Sequence, residues 1–417
     1  MSPEWVLYSG RPIASSLVLA HQAELDRLAA LTPAARDTGF VAGDPSYDRM
    51  LRSRPLRAQY RAAFGVAPHQ RLVTITSTWW RNSLLGSQPS LFREVIGALD
   101  NDRYRVAGLI HPNIWHGHGP WQIRTWLADC ERAGLLLPPP AEGWQAVLLA
   151  SDLVIGDHGA TTAYGACLDV PVLLAAFPDT DVAPDSVGEL LGTTAPRLNR
   201  REPIDVQIER AVRNYRPGSF DEVSDLVTSC PGEAAARLRQ LFYEHLRLPE
   251  PASGPVVPLI PVPASHAAPA APANFIVCEP DDDRFRITRY PADVNIDRAG
   301  SAKFSDAILT AREDHPDESL RRRAAVLLSA TAASDAALAD VLRRHPHATV
   351  AASSDGRIAT RSGHLVETTF ADSEIAATLV FERLLRGLRV PRQATVSCGD
   401  SVLRGVFGSP RVIDLGS

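Results

Sequence analysis

Between an apolar run and a helical pattern, the segment Gly156-Asp157-His158-Gly159-Ala160-Thr161-Thr162 combines a carboxylate, an imidazole, two glycines and two hydroxyls. A strand that runs into a helix start puts unpaired backbone N–H groups and the positive end of the helix dipole at the carboxyl edge of a sheet. That edge is where open α/β sheets bind ligands. Gly159 lets the backbone come close, and Thr161 and Thr162 add hydroxyl donors. The chemistry expected is the holding of a phosphorylated ligand. The bland alternative is a strand-to-helix turn with Thr as N-cap, which does not need Asp, His, Gly and two Thr together.

Two further segments are expected on the same rim. His111-Pro112-Asn113 follows an apolar strand pattern and continues as Trp115-His116-Gly117-His118-Gly119-Pro120 toward a helix. An imidazole there can donate to a phosphate near neutral pH, or serve as an ordinary loop histidine. Thr76-Ser77-Thr78-Trp79-Trp80-Arg81-Asn82-Ser83 offers hydroxyls, one arginine and two indoles. Ser77, Thr78 and Arg81 are candidates for phosphate oxygens. Trp79 and Trp80 are read first as packing residues and second as a stacking surface for a base. His111, His116, His118, Asp157 and His158 are numerous enough for a zinc site. No H-E-x-x-H or similar signature joins them, so neither a metal nor a cofactor is expected. A P-loop, a G-x-G-x-x-G turn and a G-x-S-x-G elbow are absent, which argues against P-loop triphosphatases, dinucleotide dehydrogenases and α/β-hydrolases.

The elements that must position these residues alternate. Leu72–Thr76, Tyr104–Ile110, Leu135–Leu137, Leu153–Ile155 and Val172–Ala175 read as strands. Pro89–Leu99, Trp121–Arg132, Trp144–Ala150, Thr161–Leu168 and Glu233–Leu246 read as helices. Asp44-Pro45 reads as an N-cap and first helical residue. Short connections and repeated alternation predict an α/β fold with a Rossmann-like parallel sheet over residues 44–248. Residues 249–273 hold eight prolines and one charge, Glu250, and read as a semi-extended linker. Its apolar residues, Val256 to Val262, are set to lie along a domain surface. Residues 274–417 read as a small α+β domain with strands at Phe275–Cys278, Phe285–Thr288, Thr349–Ser353, Arg357–Thr360, Leu365–Thr369 and Ala394–Cys398. Its expected helices are Leu320–Leu328, Ala336–Arg344 and Ser373–Leu388. No motif there carries chemistry.

The composition narrows the partners. A net charge of −5 gives no clustered positive field for nucleic acid, and Lys303 is the only lysine among 43 basic residues. Five scattered cysteines suggest free thiols in a reducing compartment. No apolar run reaches the roughly 20 residues that span a bilayer, and no signal-peptide pattern opens the chain, so a cytoplasmic location is expected.

Taken together, Phe40-Val41-Ala42-Gly43-Asp44-Pro45 with Asp48, His111-Pro112-Asn113, Asp152 to Gly159 and the Pro171-Val172-Leu173-Leu174 strand resemble the C-terminal, nucleotide-binding half of GT-B transferases. The nearest types are CDP-glycerol glycerophosphotransferase-like proteins and, more distantly, UDP-N-acetylglucosamine 2-epimerases. Where glycerophosphotransferases usually carry Asp-Tyr-Ser-Ser, this chain has Asp157-His158-Gly159-Ala160. The resemblance implies a nucleotide-diphosphate-linked donor held by Ser77, Thr78, Arg81, Asn113, Asp157, His158, Gly159, Ala160, Thr161 and Thr162, with His111 as the catalytic group. It implies transfer of a glycosyl or glycerophosphoryl group. Residues 1–43 then read as a remnant of the N-terminal half, with strand remnants at Trp5–Tyr8 and Leu17–Leu19 and a helix at Gln22–Leu31. A non-catalytic nucleotide-binding or regulatory protein derived from the same fold is the alternative.

Overall fold

The computed structural model describes residues 3–140, 142–264 and 270–415. Four parallel strands form the first sheet, in the spatial order Tyr104–Ile110, Arg71–Ser77, Leu153–Asp157, Val172–Ala176. Their residues alternate between two cores. Leu72, Val154, Val172 and Leu174 face one cluster, while Val73, Ile75, Leu153, Ile155 and Leu173 face the other. Apolar residues on both faces are what a parallel sheet covered by helices demands. Each fully buried Leu or Ile contributes about 1.5–3 kcal/mol of transfer free energy.

The strand order sets the site. From the Arg71–Ser77 strand the chain crosses to one side, to Tyr104–Ile110. It then returns to pair Leu153–Asp157 on the other side. The loops after Ser77 and Asp157 therefore diverge, and a crevice opens between them at the carboxyl edge.

Three carboxylates brace this sheet. Asp152 accepts from Arg57, Arg61 and the Leu72 amide, fixing the Arg57–Ala63 helix against the strand starts. Asp44 caps the Pro45–Ser53 helix through the Ser46 and Tyr47 amides. Asp48, on that helix, caps the Ala234–Leu246 helix through the amides of Gly232 and Ala234. Residues 3–43 add a parallel pair, Leu17–Leu19 with Gly39–Val41, and the Gln22–Leu31 helix between them.

Several elements differ from the sequence expectation. Trp121–Arg132 is two helices, Pro120–Trp126 and Ala128–Arg132. Leu135–Leu137 contributes one bridge, Leu136 to Ala107. Trp5–Tyr8 is the end of a short helix, Pro3–Val6, followed by a two-residue strand. Leu320–Leu328 is not one helix: Glu318–Arg323 is helical and Val326–Leu328 is a strand, because a short apolar run carries no period of its own. Within residues 249–264, Ile260 is buried in the first core. Its carbonyl accepts from Tyr60 Oη at 2.8 Å, and its amide donates to Ser53 Oγ at 3.0 Å. Residues 265–269 of the expected linker lie outside the described residues.

The C-terminal part is a mixed ten-stranded sheet running from Ser401–Val406 at one edge to Arg411–Val412 at the other. The Asp335–Arg344 and Ser373–Leu385 helices cover opposite faces through separate cores. This sheet docks on the amino edge of the first one. Arg289 bonds Asp102 across the junction as well as Asp372 and Glu374 in its own domain. Arg132 meets the buried Asp293 at 2.7 Å, and Lys303 Nζ donates to the Ala98 carbonyl at 3.1 Å. Among the described residues, no helix is long and apolar enough to cross a membrane.

Candidate functional site

A cavity of about 380 Å³ opens at the crevice predicted by the strand order. Its polar wall is built by three strand ends: Thr76 and Thr78 from one, His111 after the second, and Asp157 with Gly159 to Thr161 after the third. Pro138, Pro139, Pro140, Trp144 and Tyr164 contribute apolar and aromatic lining. The volume is within the ordinary range for small-molecule sites.

Asp157 is the keystone of the polar wall. It is fully buried, at a register shift where the strand ends, and accepts three backbone amides: Thr78 at 2.8 Å, Leu84 at 2.8 Å and Gly159 at 3.0 Å. Burial pushes its carboxyl pKa up, and the three N–H donors and the nearby His158 oppose that rise. Three backbone amides engage both of its oxygens, so Asp157 shapes the two diverging loops. Gly156 must be glycine for the same reason: a Cβ would lie 2.3 Å from Thr162 Oγ1 and 2.4 Å from Thr76 Oγ1.

The Ala160–Cys167 helix starts at Gly159 with no side-chain cap. The Thr162 amide already returns to the Gly159 carbonyl at 3.1 Å, so the amides of Ala160 and Thr161 are the donors left at the cavity mouth. Orphan N–H groups and the dipole together make this the anion-binding end of the wall.

His111 caps the Pro112–His118 helix. Its Nδ1 accepts from the Asn113 amide at 3.1 Å. That bond fixes Nδ1 as the bare nitrogen, so the neutral ring carries its proton on Nε2. Burial lowers its pKa below the ordinary imidazole value, against an opposing pull from Asp157. Near neutral pH, His111 is therefore a neutral hydrogen-bond donor and not a ready proton acceptor.

The structure sorts the residues singled out from sequence into four groups. His111, Thr78, Asp157, Gly159, Ala160 and Thr161 line this cavity. Arg81 and Asn113 instead line a second, neighbouring cavity. Ser77 and Thr162 are turned inward, which corrects their reading as ligand donors. Ser77 Oγ donates to the Thr78 carbonyl and accepts from the Leu85 amide, while Thr162 Oγ1 is paired with Thr76 Oγ1 at 2.8 Å. The cause is the helix period: Thr161 and Thr162 sit about 100° apart, so only one of them can face out. His158 packs edge-on to Phe177 and does not line the cavity. Trp144, Tyr164 and the three prolines went unnoticed in the sequence. The run Pro138-Pro139-Pro140 directly before a helix was the available signal. Among the described residues, no three His, Cys, Asp or Glu side chains converge as a metal ligand set.

No protein-family model matches the chain, and no curated protein sequence matches it. Solved structures are similar to part of it. The wall teichoic acid polymerase TagF is 12% identical, with 56% of this chain and 58% of that chain covered and a TM-score of 0.41. A glycosyltransferase from Rickettsia africae is 11% identical, with 57% and 64% covered and a TM-score of 0.33. The UDP-GlcNAc 2-epimerase from Neisseria meningitidis, bound to UDP-GlcNAc, is 13% identical, with 55% and 61% covered and a TM-score of 0.33. The chain spans less than two thirds of the length of each of these structures.

Proposed function

We propose that the cavity at the Ala160–Cys167 helix start binds the diphosphate of a nucleotide-linked donor, and that the protein is a transferase of a glycosyl or glycerophosphoryl group. One observation carries this reading: the uncapped amides of Ala160 and Thr161 share a cavity with the Thr161 hydroxyl and the His111 ring. Backbone donors at a helix start neutralise phosphate oxygens without desolvating a side-chain charge. His111 Nε2–H adds a donor whose hydrogen bond strengthens as the leaving phosphate gains negative charge. The Pro138–Pro140 and Trp144 wall supplies a flat apolar face on which a nucleobase can rest. On this reading residues 44–248 are the donor-binding unit, residues 249–273 the linker, residues 274–417 a separate domain, and residues 1–43 a remnant of an N-terminal domain.

The same geometry favours a second reading. Asp157 is held on both oxygens by three backbone amides, and His111 carries its proton on the nitrogen left free. Neither is a ready general base, as befits a protein that binds a nucleotide without turning it over.

Calorimetric titration of the full chain with CDP, UDP and GDP tests the donor site common to both readings. At least one should bind, and Thr161→Ala should weaken that binding by about 1–3 kcal/mol through loss of a charge-assisted hydrogen bond. Absence of binding by all three at millimolar concentration would remove both readings. Release of the nucleotide from CDP-glycerol or UDP-sugar donors then separates transferase from binder.

A further inference from the structure

The second cavity, of about 830 Å³, is larger than the first and adjoins it. The chain passes from one lining to the other between Thr78 and Trp79, and again between Pro112 and Asn113. The Trp79 indole, which lines the second cavity, is stacked with the His111 ring of the first at 6.3 Å between centroids. These two rings thus stand between the two spaces.

Three indoles face this second space and remain open to solvent: Trp79 at 46%, Trp80 at 65% and Trp126 at 41% exposure. Trp79 and Trp80 stand edge to face at 5.7 Å, and Trp126 is edge-on to His118 at 4.9 Å. Trp5 and Trp121 are exposed elsewhere on the surface, but only here do three indoles gather around one hollow, the clustering of open apolar surface that marks binding sites. Trp80 is also held at φ +85°, a backbone state that bulky side chains rarely adopt. Its carbonyl accepts the Ser83 amide, and a Cβ on Gly86 would come within 2.4 Å of that carbonyl, so the local sequence accommodates this presentation of the ring.

The polar groups among the indoles define the ligand. Arg93 is neutralised by two hydrogen bonds to Asp129. Arg81 makes no ion pair among the described residues, lies 5.7 Å over the Trp80 ring, and has no carboxylate beside it in the lining. Asn113, His118 and Thr125 add neutral hydrogen-bonding groups. A purely apolar ligand would leave these groups unmatched. A sugar ring matches them, with an apolar face for an indole, a rim of hydroxyls for the amide and imidazole, and an acidic substituent for Arg81.

We propose that this cavity binds a saccharide bearing an acidic group. Resting on the donor reading above, that saccharide is the acceptor, held across the Trp79 and His111 rings from the donor cavity.

The test measures tryptophan quenching and calorimetric affinity on the full chain. The probes are hexasaccharides of galacturonic acid and of neutral β-1,4-linked glucose, with CDP and UDP titrated separately. The acidic probe should bind about ten-fold more tightly than the neutral one. Arg81→Ala should erase that preference. Trp126→Ala should weaken the acidic probe about ten-fold, with partial recovery in Trp126→Phe and unchanged nucleotide affinity. Quenching by neither saccharide at millimolar concentration overturns the proposal. So does saccharide binding indifferent to both Trp126→Ala and Trp80→Ala in folded protein, or displacement of the saccharide by CDP or UDP alone. Saccharide binding without any nucleotide binding upholds the cavity's assignment and removes only the donor reading.

Discussion

The two edges of the four-stranded sheet treat polar groups in opposite ways. At the amino edge, charged groups are paired. Asp152 holds Arg57 and Arg61, Glu209 holds Arg71 and Arg103, and Arg289 draws Asp102 together with Asp372 and Glu374. At the carboxyl edge, the Ala160 and Thr161 amides, His111 Nε2 and, further out, Arg81 point at open space. A buried charge that lacks its partner is costly, so dense pairing of this kind marks a region that holds the molecule together. Donors left unpaired on a braced frame mark a region built to receive something. The C-terminal domain docks at the paired edge and leaves the open edge uncovered.

The contrast can be broken by mutation, most strongly at the amino edge. Arg289→Ala would strand Asp102, Asp372 and Glu374 and should cost about 3–5 kcal/mol in denaturant unfolding. Nucleotide affinity of the folded fraction should not change; a matching loss of affinity would show that the edges are not separate. Gly156→Ala strikes the frame of the open edge. Its Cβ would collide with two buried hydroxyls, and a thermal melt should show destabilisation of about 1–3 kcal/mol. Neighbouring threonines sharpen the comparison further. Thr162→Ala leaves the Thr76 hydroxyl without its partner and should lower stability by about 1–3 kcal/mol. Thr161→Ala should instead leave the melt in place and weaken nucleotide binding. The reverse pattern would exchange their roles.

The smallest effect is the pH response of His111. Burial lowers its pKa, so the unfolded chain takes up this proton at a higher pH than the native one. Stability from this group is present above its unfolded value and is lost as pH falls toward the folded one. In His111→Gln that component is absent, so the Tm difference between the native protein and the variant should shrink as pH drops from about 7 to 5. A gap that stays constant would mean that His111 titrates alike in both states.

Much of the parallel sheet was legible because its strands carry dense apolar runs bounded by turn residues, as in Leu153–Asp157 before Gly159. The strand-to-helix turn was legible too, since Asp, Gly and Thr there serve backbone geometry that local sequence encodes. The inward turn of Thr162 and Ser77 was not, because it depends on which face each element presents to a neighbour distant in sequence. Nor was the division of the Thr76–Ser83 segment between two cavities, which changes hands between Thr78 and Trp79. In the C-terminal sheet, Ile308–Arg312 and Ser401–Val406 escaped because short strands in a wide mixed sheet take their identity from pairing partners. Arg289 offered no local signal, since its three carboxylates come from positions 102, 372 and 374.

The central claim is best tested by a crystal structure of the full chain soaked with CDP or UDP. It should show the diphosphate on the Ala160 and Thr161 amides, with His111 Nε2 about 2.7–3.2 Å from a phosphate oxygen and the base against Pro138–Pro140 and Trp144. A nucleotide ordered elsewhere, including in the tryptophan cavity, or an empty helix start at saturating nucleotide, would contradict it.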